Sequence, residues 1–348
     1  MGASFFVGQK RRKGGRVADG CRWKKVASAL IKVLVTGAVV AFIIHRLGWS
    51  SIASTLAMAQ PHWLMAALTL FLLSGVLGVV QWRLLLANKD VHLSFGRCLS
   101  LYFIGMFFNN FMLGTVTGDA VRVTYVRTSA GSVRGGIAAT FLDRFAGLLA
   151  MACFAIVGSG VLLKRGLVDE GRVATAVIAL VATFGLFFMT CAFIVSRRVQ
   201  RFSFRIIDLL PIPCKNMVRD MLKSIALEVH NRHVVVPVGF LAVGIQAMRI
   251  GVHILCAASL GLLTAQNFQY FFVFVPILAI LMLVPLPFGV KEGIGGSLFV
   301  LAGFSPDAPE VPLVMEFLAS LVGIVASLAG GVFFVLSRVR TAPMKEPV

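Results

Sequence analysis

Three short groups of ionisable residues stand inside otherwise apolar stretches of the sequence. The first is Thr117-Gly118-Asp119-Ala120-Val121-Arg122, with Arg127 just beyond; the second is Asp143-Arg144; the third is Lys291-Glu292, behind Pro285, Pro287 and Gly289. Residues three apart on a helix share a face, which pairs Asp119 with Arg122. Backbone amides of a helix opening near Gly118, together with Arg122 and Arg127, would make a seat for phosphate. A capping Asp paired with an Arg at a membrane edge accounts for the same spacing, and both readings stand at this stage. Asp143 belongs to a four-residue stripe of small side chains, Gly135, Ala139 and Gly147, of the kind that lets a neighbouring helix approach. It reads equally as a fold-holding ion pair or a substrate contact. An unpaired charge near a bilayer centre costs at least ~2.5–3.5 kcal/mol, so adjacent Lys291 and Glu292 point to function. Arg249 has no carboxylate within its own helix, so its expected partner is Asp143, Glu292, Glu316 or a lipid anion. Glu316 opens a stripe with Ser320, Gly323 and Ser327 that reads as helix packing.

Other chemistries find no support. There is no H-E-x-x-H, no G-x-S-x-G and no P-loop lysine, so no catalytic residue is assigned. The six cysteines are scattered, without C-x-x-C spacing. His230 and His233 read as solvated, and neither a metal nor a cofactor is expected.

These residues must be positioned by membrane-spanning helices. The chain has 348 residues, 58% of them hydrophobic and 14% charged, with a mean hydropathy of +0.91. Soluble domains carry ~25% charged residues, so the expected fold class is an all-α polytopic membrane protein. Eight apolar segments of roughly the ~20-residue spanning length stand near 28–47, 62–86, 97–117, 136–162, 173–195, 234–262, 268–303 and 311–337. The domain reading is a basic cytoplasmic tail 1–26, one integral membrane domain 27–338 and a cytoplasmic tail 339–348. The N-terminus reads as an uncleaved anchor, because no small-x-small site follows its first apolar run. Thirty-three Lys and Arg against fourteen Asp and Glu leave +19, a surplus that must crowd into cytoplasmic loops. The longest polar stretch, 196–233, is therefore cytoplasmic, and its Phe202, Ile206 and Leu209 suggest a helix lying on the leaflet.

Orientation then forces an unusual topology. If segment three crossed fully, loop 196–233 would fall outside, against the positive-inside rule. If it enters and leaves on one side, Arg122, Arg127 and Arg134 also fall inside. Its sequence suits a break, with Asn109-Asn110 in the middle and Gly114 and Gly118 following. Segment seven breaks in the same way at Pro285-Leu286-Pro287-Phe288-Gly289 and enters from the outer side. Interrupted apolar segments at matching places in two halves, in an inverted-repeat arrangement, are a pointer to a transporter's substrate site.

Thr-Gly-Asp-Ala-Val-Arg at 117–122, Leu142-Asp143-Arg144-Phe145-Ala146-Gly147-Leu148-Leu149 and Pro-Leu-Pro-Phe-Gly-Val-Lys-Glu at 285–292 occur in an order that resembles the lysylphosphatidylglycerol synthase transmembrane-domain family. The resemblance covers the chain from its first span onward. It implies a multi-span domain associated with moving lipids between leaflets, as a stand-alone member without the soluble aminoacyl-transferase domain. Two departures bear on headgroup preference. Thr117 replaces one Gly of the family's Gly-Gly-Asp, and Lys291 replaces an Arg, keeping charge but losing the two-pronged grip on phosphate.

The resulting expectation is a flippase-like lipid translocase of a bacterial inner membrane, with both termini cytoplasmic. Its substrate would be a phosphate-bearing lipid, anionic or polyprenyl-linked. Asp119, Arg122, Arg127, Asp143, Arg144, Arg249, Lys291 and Glu292 are the substrate-binding candidates, and Asn109, Asn110, Gly118, Pro285, Pro287 and Gly289 shape the broken segments. Arg122→Ala or Glu292→Ala is expected to abolish activity while leaving insertion intact. The alternatives are a membrane-embedded headgroup transferase and a non-catalytic partner of a lipid or glycolipid synthesis complex. Expected partners are membrane phospholipid, hopanoid-related or polyprenyl-linked lipids, and no nucleic acid; lipid-synthesis enzymes and a second copy of the chain stay open.

Overall fold

The computed structural model describes residues 49–111, 115–130, 133–166, 231–281 and 289–340, with Ala182, Gly185 and Met189. The expected spans 28–47 and 173–195, the tail 1–26, the loop up to residue 230, Pro285, Pro287 and the last eight residues lie outside the described residues. Within them the protein is helical, with no strand: α1 (Trp49–Met58), α2 (Pro61–Ala87), α3 (Phe95–Phe111), α4 (Thr115–Ala130), α5 (Val133–Lys164), α6 (Arg232–Ser259), α7 (Phe271–Leu281, after a 3-10 turn Phe268–Tyr270), α8 (Val290–Leu301) and α9 (Glu310–Arg340). Four of these, α2, α5, α6 and α9, are long and apolar enough to cross a membrane.

Local sequence explains the ends. Gln60 is extended and Pro61 opens α2, where a missing N–H costs nothing. Pro237 falls within the first two turns of α6. Gly289 adopts φ +94° before α8, a conformation that favours glycine. Its N–H donates to Glu292 Oε2 at 2.7 Å, tying the first turn of α8 to its own entry.

Helices α2 and α6 lie antiparallel along their whole length. Gln60 N–H donates to the Ser259 carbonyl at one end, and Asn231 Nδ2 donates to Asn88 Oδ1 at the other. These contacts define a Gln60 end and an Asn88 end for the bundle. Helix α5 joins through Gln81 and Trp82 of α2.

The two interrupted segments fold as helical hairpins. Helices α3 and α4 pack on each other across the break after Phe111, and both outer ends lie at the Asn88 end, where Arg83 Nε reaches the Leu93 carbonyl. The start of α7 and the end of α8 lie toward the Gln60 end: Phe272 packs on Gly158 near the end of α5, and Gly296 packs on Leu313 near the start of α9. Helix α9 lies between the hairpins. It meets α3 where Gly330 abuts the Phe103 carbonyl oxygen, and α8 where Ser320 reaches Glu292. Each half has its own apolar core. One gathers Phe271, Phe299, Phe304 and Met315; the other gathers Trp82, Leu85, Leu101 and Val126.

Candidate functional site

The first polar cluster sits where α2, α3, α4 and α5 meet, in the half nearer the Asn88 end. Its centre is Arg122, a cation only 3% exposed. Arg122 Nη2 lies 2.5 Å from Asp119 Oδ1, and Nη1 lies 3.8 Å from Asp143 Oδ2. Its guanidinium stands 4.8 Å from the Tyr102 ring centroid and 5.3 Å from that of Trp82, a favourable placement for a desolvated cation. Asp143, 8% exposed, also accepts a bond of 2.9 Å from Gln81 Nε2. Trp82 Nε1 donates to Thr140 one turn before it. Arg144 reaches Asp119 through Nε at 3.0 Å and Nη2 at 2.9 Å, while remaining 42% exposed. Two carboxylates and two guanidiniums thus form one network, with Arg144 as its open side.

The helix carrying Asp119 begins earlier than the sequence suggested. It starts at Thr115 rather than near Gly118, and the Gly118 N–H is taken by Asn109 Oδ1 at 2.8 Å. That amide is therefore not part of a phosphate seat. Gly118 instead lets α4 lie on α3, because a Cβ there would meet the Gly105 carbonyl oxygen. Asn110 donates across to the Gly323 carbonyl of α9 at 3.3 Å. Arg127 is exposed in the last turn of α4, apart from the cluster.

The second cluster lies among α6, α8 and α9, nearer the Gln60 end. Buried Glu292 accepts from Ser320 Oγ at 2.6 Å and pairs with Lys291 Nζ at 3.4 Å. Four residues from Ser320, Glu316 is wholly buried and meets His253 Nδ1 at 3.0 Å. Of the stripe Glu316, Ser320, Gly323 and Ser327, the first three each engage a polar group of another helix, whereas Ser327 donates to the Ile324 carbonyl of its own helix.

Arg249 stands between the clusters. At 1.5 Å per residue it lies roughly 15 Å from the Gln60 end of α6. None of Asp143, Glu292 or Glu316 pairs with it; those carboxylates are taken by Arg122 and Gln81, by Ser320 and Lys291, and by His253. Its Nε is buried without a hydrogen-bond partner among the described residues, as is Gln246 Oε1 on the preceding turn. Buried polar groups are normally bonded, so this stretch of α6 presents unused donor and acceptor capacity to the interior.

Sequence reasoning missed Gln81, Trp82, Tyr102, Gln246 and His253. Gln81 and Gln246 were findable as polar residues within apolar runs; Trp82 and Tyr102 carried no signal separating them from core aromatics. Among the described residues no group of three or more His, Cys, Asp or Glu could hold a metal.

The model of the lysylphosphatidylglycerol synthase transmembrane region matches residues 29–327. A UPF0104 membrane protein of Methanothermobacter thermautotrophicus is 23% identical over 319 aligned residues, covering 84% of this chain and 91% of that one. Another, from Pyrococcus horikoshii, is 26% identical over 121 residues, covering 33% of this chain and 36% of its own length. No solved structure gives a significant match.

Proposed function

This chain belongs to the lysylphosphatidylglycerol synthase transmembrane-region family, and on that footing we propose that it is a flippase-like translocase of a phosphate-bearing lipid. It is a multi-pass membrane protein. In this reading the Asn88 end, with Arg83, Lys89, Arg97, Arg127 and Arg134, faces the cytoplasm by the positive-inside rule. The Gln60 end, with Asp307 and Glu310, faces outward, and the membrane is the bacterial inner membrane. The α3–α4 and α7–α8 hairpins re-enter from opposite faces as an inverted pair, which is the arrangement that puts a transporter's site near mid-membrane.

The observation that carries the reading is Arg249. A guanidinium held at depth that no carboxylate among the described residues pairs with directly is a costly feature that an arriving anion relieves. Arg144, half in the open, would meet a headgroup phosphate first. Arg249 lies about 10 Å further along the bundle by helical rise, and would receive the phosphate while the acyl chains stay in the bilayer. Arg122, enclosed by Asp119 and Asp143, holds the entry network rather than the lipid, so the loss of activity expected of Arg122→Ala would come with a loss of stability.

The test is lipid movement in proteoliposomes. Fluorescent phosphatidylglycerol in one leaflet is quenched by external dithionite, with Arg249→Gln beside wild type. Losing one charged hydrogen bond of about 1.5–3 kcal/mol should slow movement by at least about tenfold, with folding unaffected. Equal rates for the two proteins, or a wild type no faster than empty liposomes with phosphatidylglycerol, cardiolipin and undecaprenyl phosphate probes, would refute the proposal. A new lipid species in the same vesicles by mass spectrometry would favour the headgroup transferase instead.

A further inference from the structure

Glu316 is wholly buried, and one of its carboxylate oxygens has no hydrogen-bond partner among the described residues. The other, Oε1, lies 3.0 Å from His253 Nδ1. Gly295 of α8 packs against the unpartnered oxygen, where a Cβ would come within 3.1 Å of it. A hydrogen bond between an imidazole nitrogen and a carboxylate oxygen requires one proton between them. With neutral His253 the pair then carries a net charge of −1. A second proton, taken by the unpartnered Oε2, brings the pair to zero. The orphaned Oε2 is an acceptor that water cannot reach and that protonation would neutralise.

We infer that His253 and Glu316 form a proton-binding site that sets the charge beside Arg249. His253 lies one turn beyond Arg249 on α6, so the two share a face. With the pair at −1, Arg249 is balanced by a nearby protein anion. With the pair protonated, Arg249 is left to an external anion. Proton uptake would thus tighten the hold on a lipid phosphate, and proton release would loosen it. The other titratable or charged groups on the elements packed around Glu316 are few. Helix α6 adds Cys256, within electrostatic reach of the carboxylate. Helix α8 adds Lys291 and Glu292, which pair with each other. Helix α7 carries none and places Leu278 at Gly295. Helix α1 carries none, and α2 has only His62 in its first turn and Arg83 near its last.

The effect on lipid movement rests on the translocase reading, whereas the proton site does not. The first test therefore needs no transport. Purified protein in nanodiscs is examined by infrared difference spectroscopy between about pH 5.5 and about pH 8, bracketing the ordinary histidine range near ~6.5. Wild type should gain a carboxylic-acid carbonyl band on acidification; Glu316→Gln should lack it and Glu310→Gln should keep it. His253→Gln retains the carboxyl group and should move the band's midpoint by about one pH unit or more, the signature of a coupled pair. That variant also decides the matter if Glu316→Gln does not fold. A full band in Glu316→Gln, or an unmoved midpoint in His253→Gln, overturns the site. In proteoliposomes, movement of the phosphatidylglycerol probe should depend on pH in wild type and lose that dependence in Glu316→Gln. A wild-type rate indifferent to pH overturns the coupling. No movement in any protein defeats the translocase reading and leaves the infrared result to judge the proton site.

Discussion

Removing Arg122 should damage the protein far more than removing Arg144, although both bind the same aspartate. In Arg122→Met, Asp119 keeps the two hydrogen bonds from Arg144 and stays compensated. Asp143 does not: it retains the neutral Gln81 amide, while its ion-pair partner among the described residues is the deleted cation. Breaking a buried pair by deleting one member costs about 3–5 kcal/mol, because the remaining charge is stranded. The cation–ring contacts with Trp82 and Tyr102 add to the loss. Arg144→Met removes a half-exposed partner and leaves Asp119 with Arg122, so its cost should be about 1 kcal/mol or less. The assay is unfolding in mixed dodecylmaltoside–SDS micelles, followed by tryptophan fluorescence at constant pH. Arg122→Met/Asp143→Asn should recover most of the loss, since the amide no longer needs a cation and still bonds Gln81. Equal losses for the two arginine variants, or a double variant no better than Arg122→Met, would show that Arg122 does not hold the network through Asp143.

The hairpin contacts make two further tests. Gly118→Ala and Gly330→Ala each drive a methyl into a carbonyl oxygen of α3, Gly105 and Phe103 respectively; each should cost about 1–3 kcal/mol in the same micelle titration, whereas Gly293→Ala, which meets open space, should behave as wild type. Ser320→Ala removes a 2.6 Å bond to Glu292, and should lower stability by about 1–3 kcal/mol and raise the labelling rate of a cysteine placed at Ile294; an unchanged rate would mean that Ser320 does not anchor α8.

The long spans were readable because composition alone decides them: nothing but a bilayer buries α2, α5, α6 and α9. The Asp119–Arg122 pair was readable because its two members lie one helical turn apart. The rest of the site was not local. Gln81 meets Asp143 across 62 positions of sequence and Glu316 meets His253 across 63, and no periodicity links residues so distant. The start of α4 was misplaced for a related reason. Gly118 looks like a helix boundary, yet its glycine serves contact with α3, and Asn109 supplies the acceptor its amide uses. Arg249 was recognised as needing a partner; that it has none among the described residues follows only once every nearby carboxylate is seen to be occupied.

The α2–α6 pair, fastened by Gln60–Ser259 at one end and Asn88–Asn231 at the other, has a mechanical consequence. Two rods joined at both tips neither slide nor scissor, so they act as a fixed mast. Arg249 and His253 stand on that mast. Helices α3 and α8 are joined to α9 through single side-chain bonds, Asn110–Gly323 and Ser320–Glu292, not fastened at both ends. On the translocase reading, whatever passes between the leaflets would keep a stationary cation at its side, its progress set by movement of the helices around the mast and not by any travel of the charge that holds it.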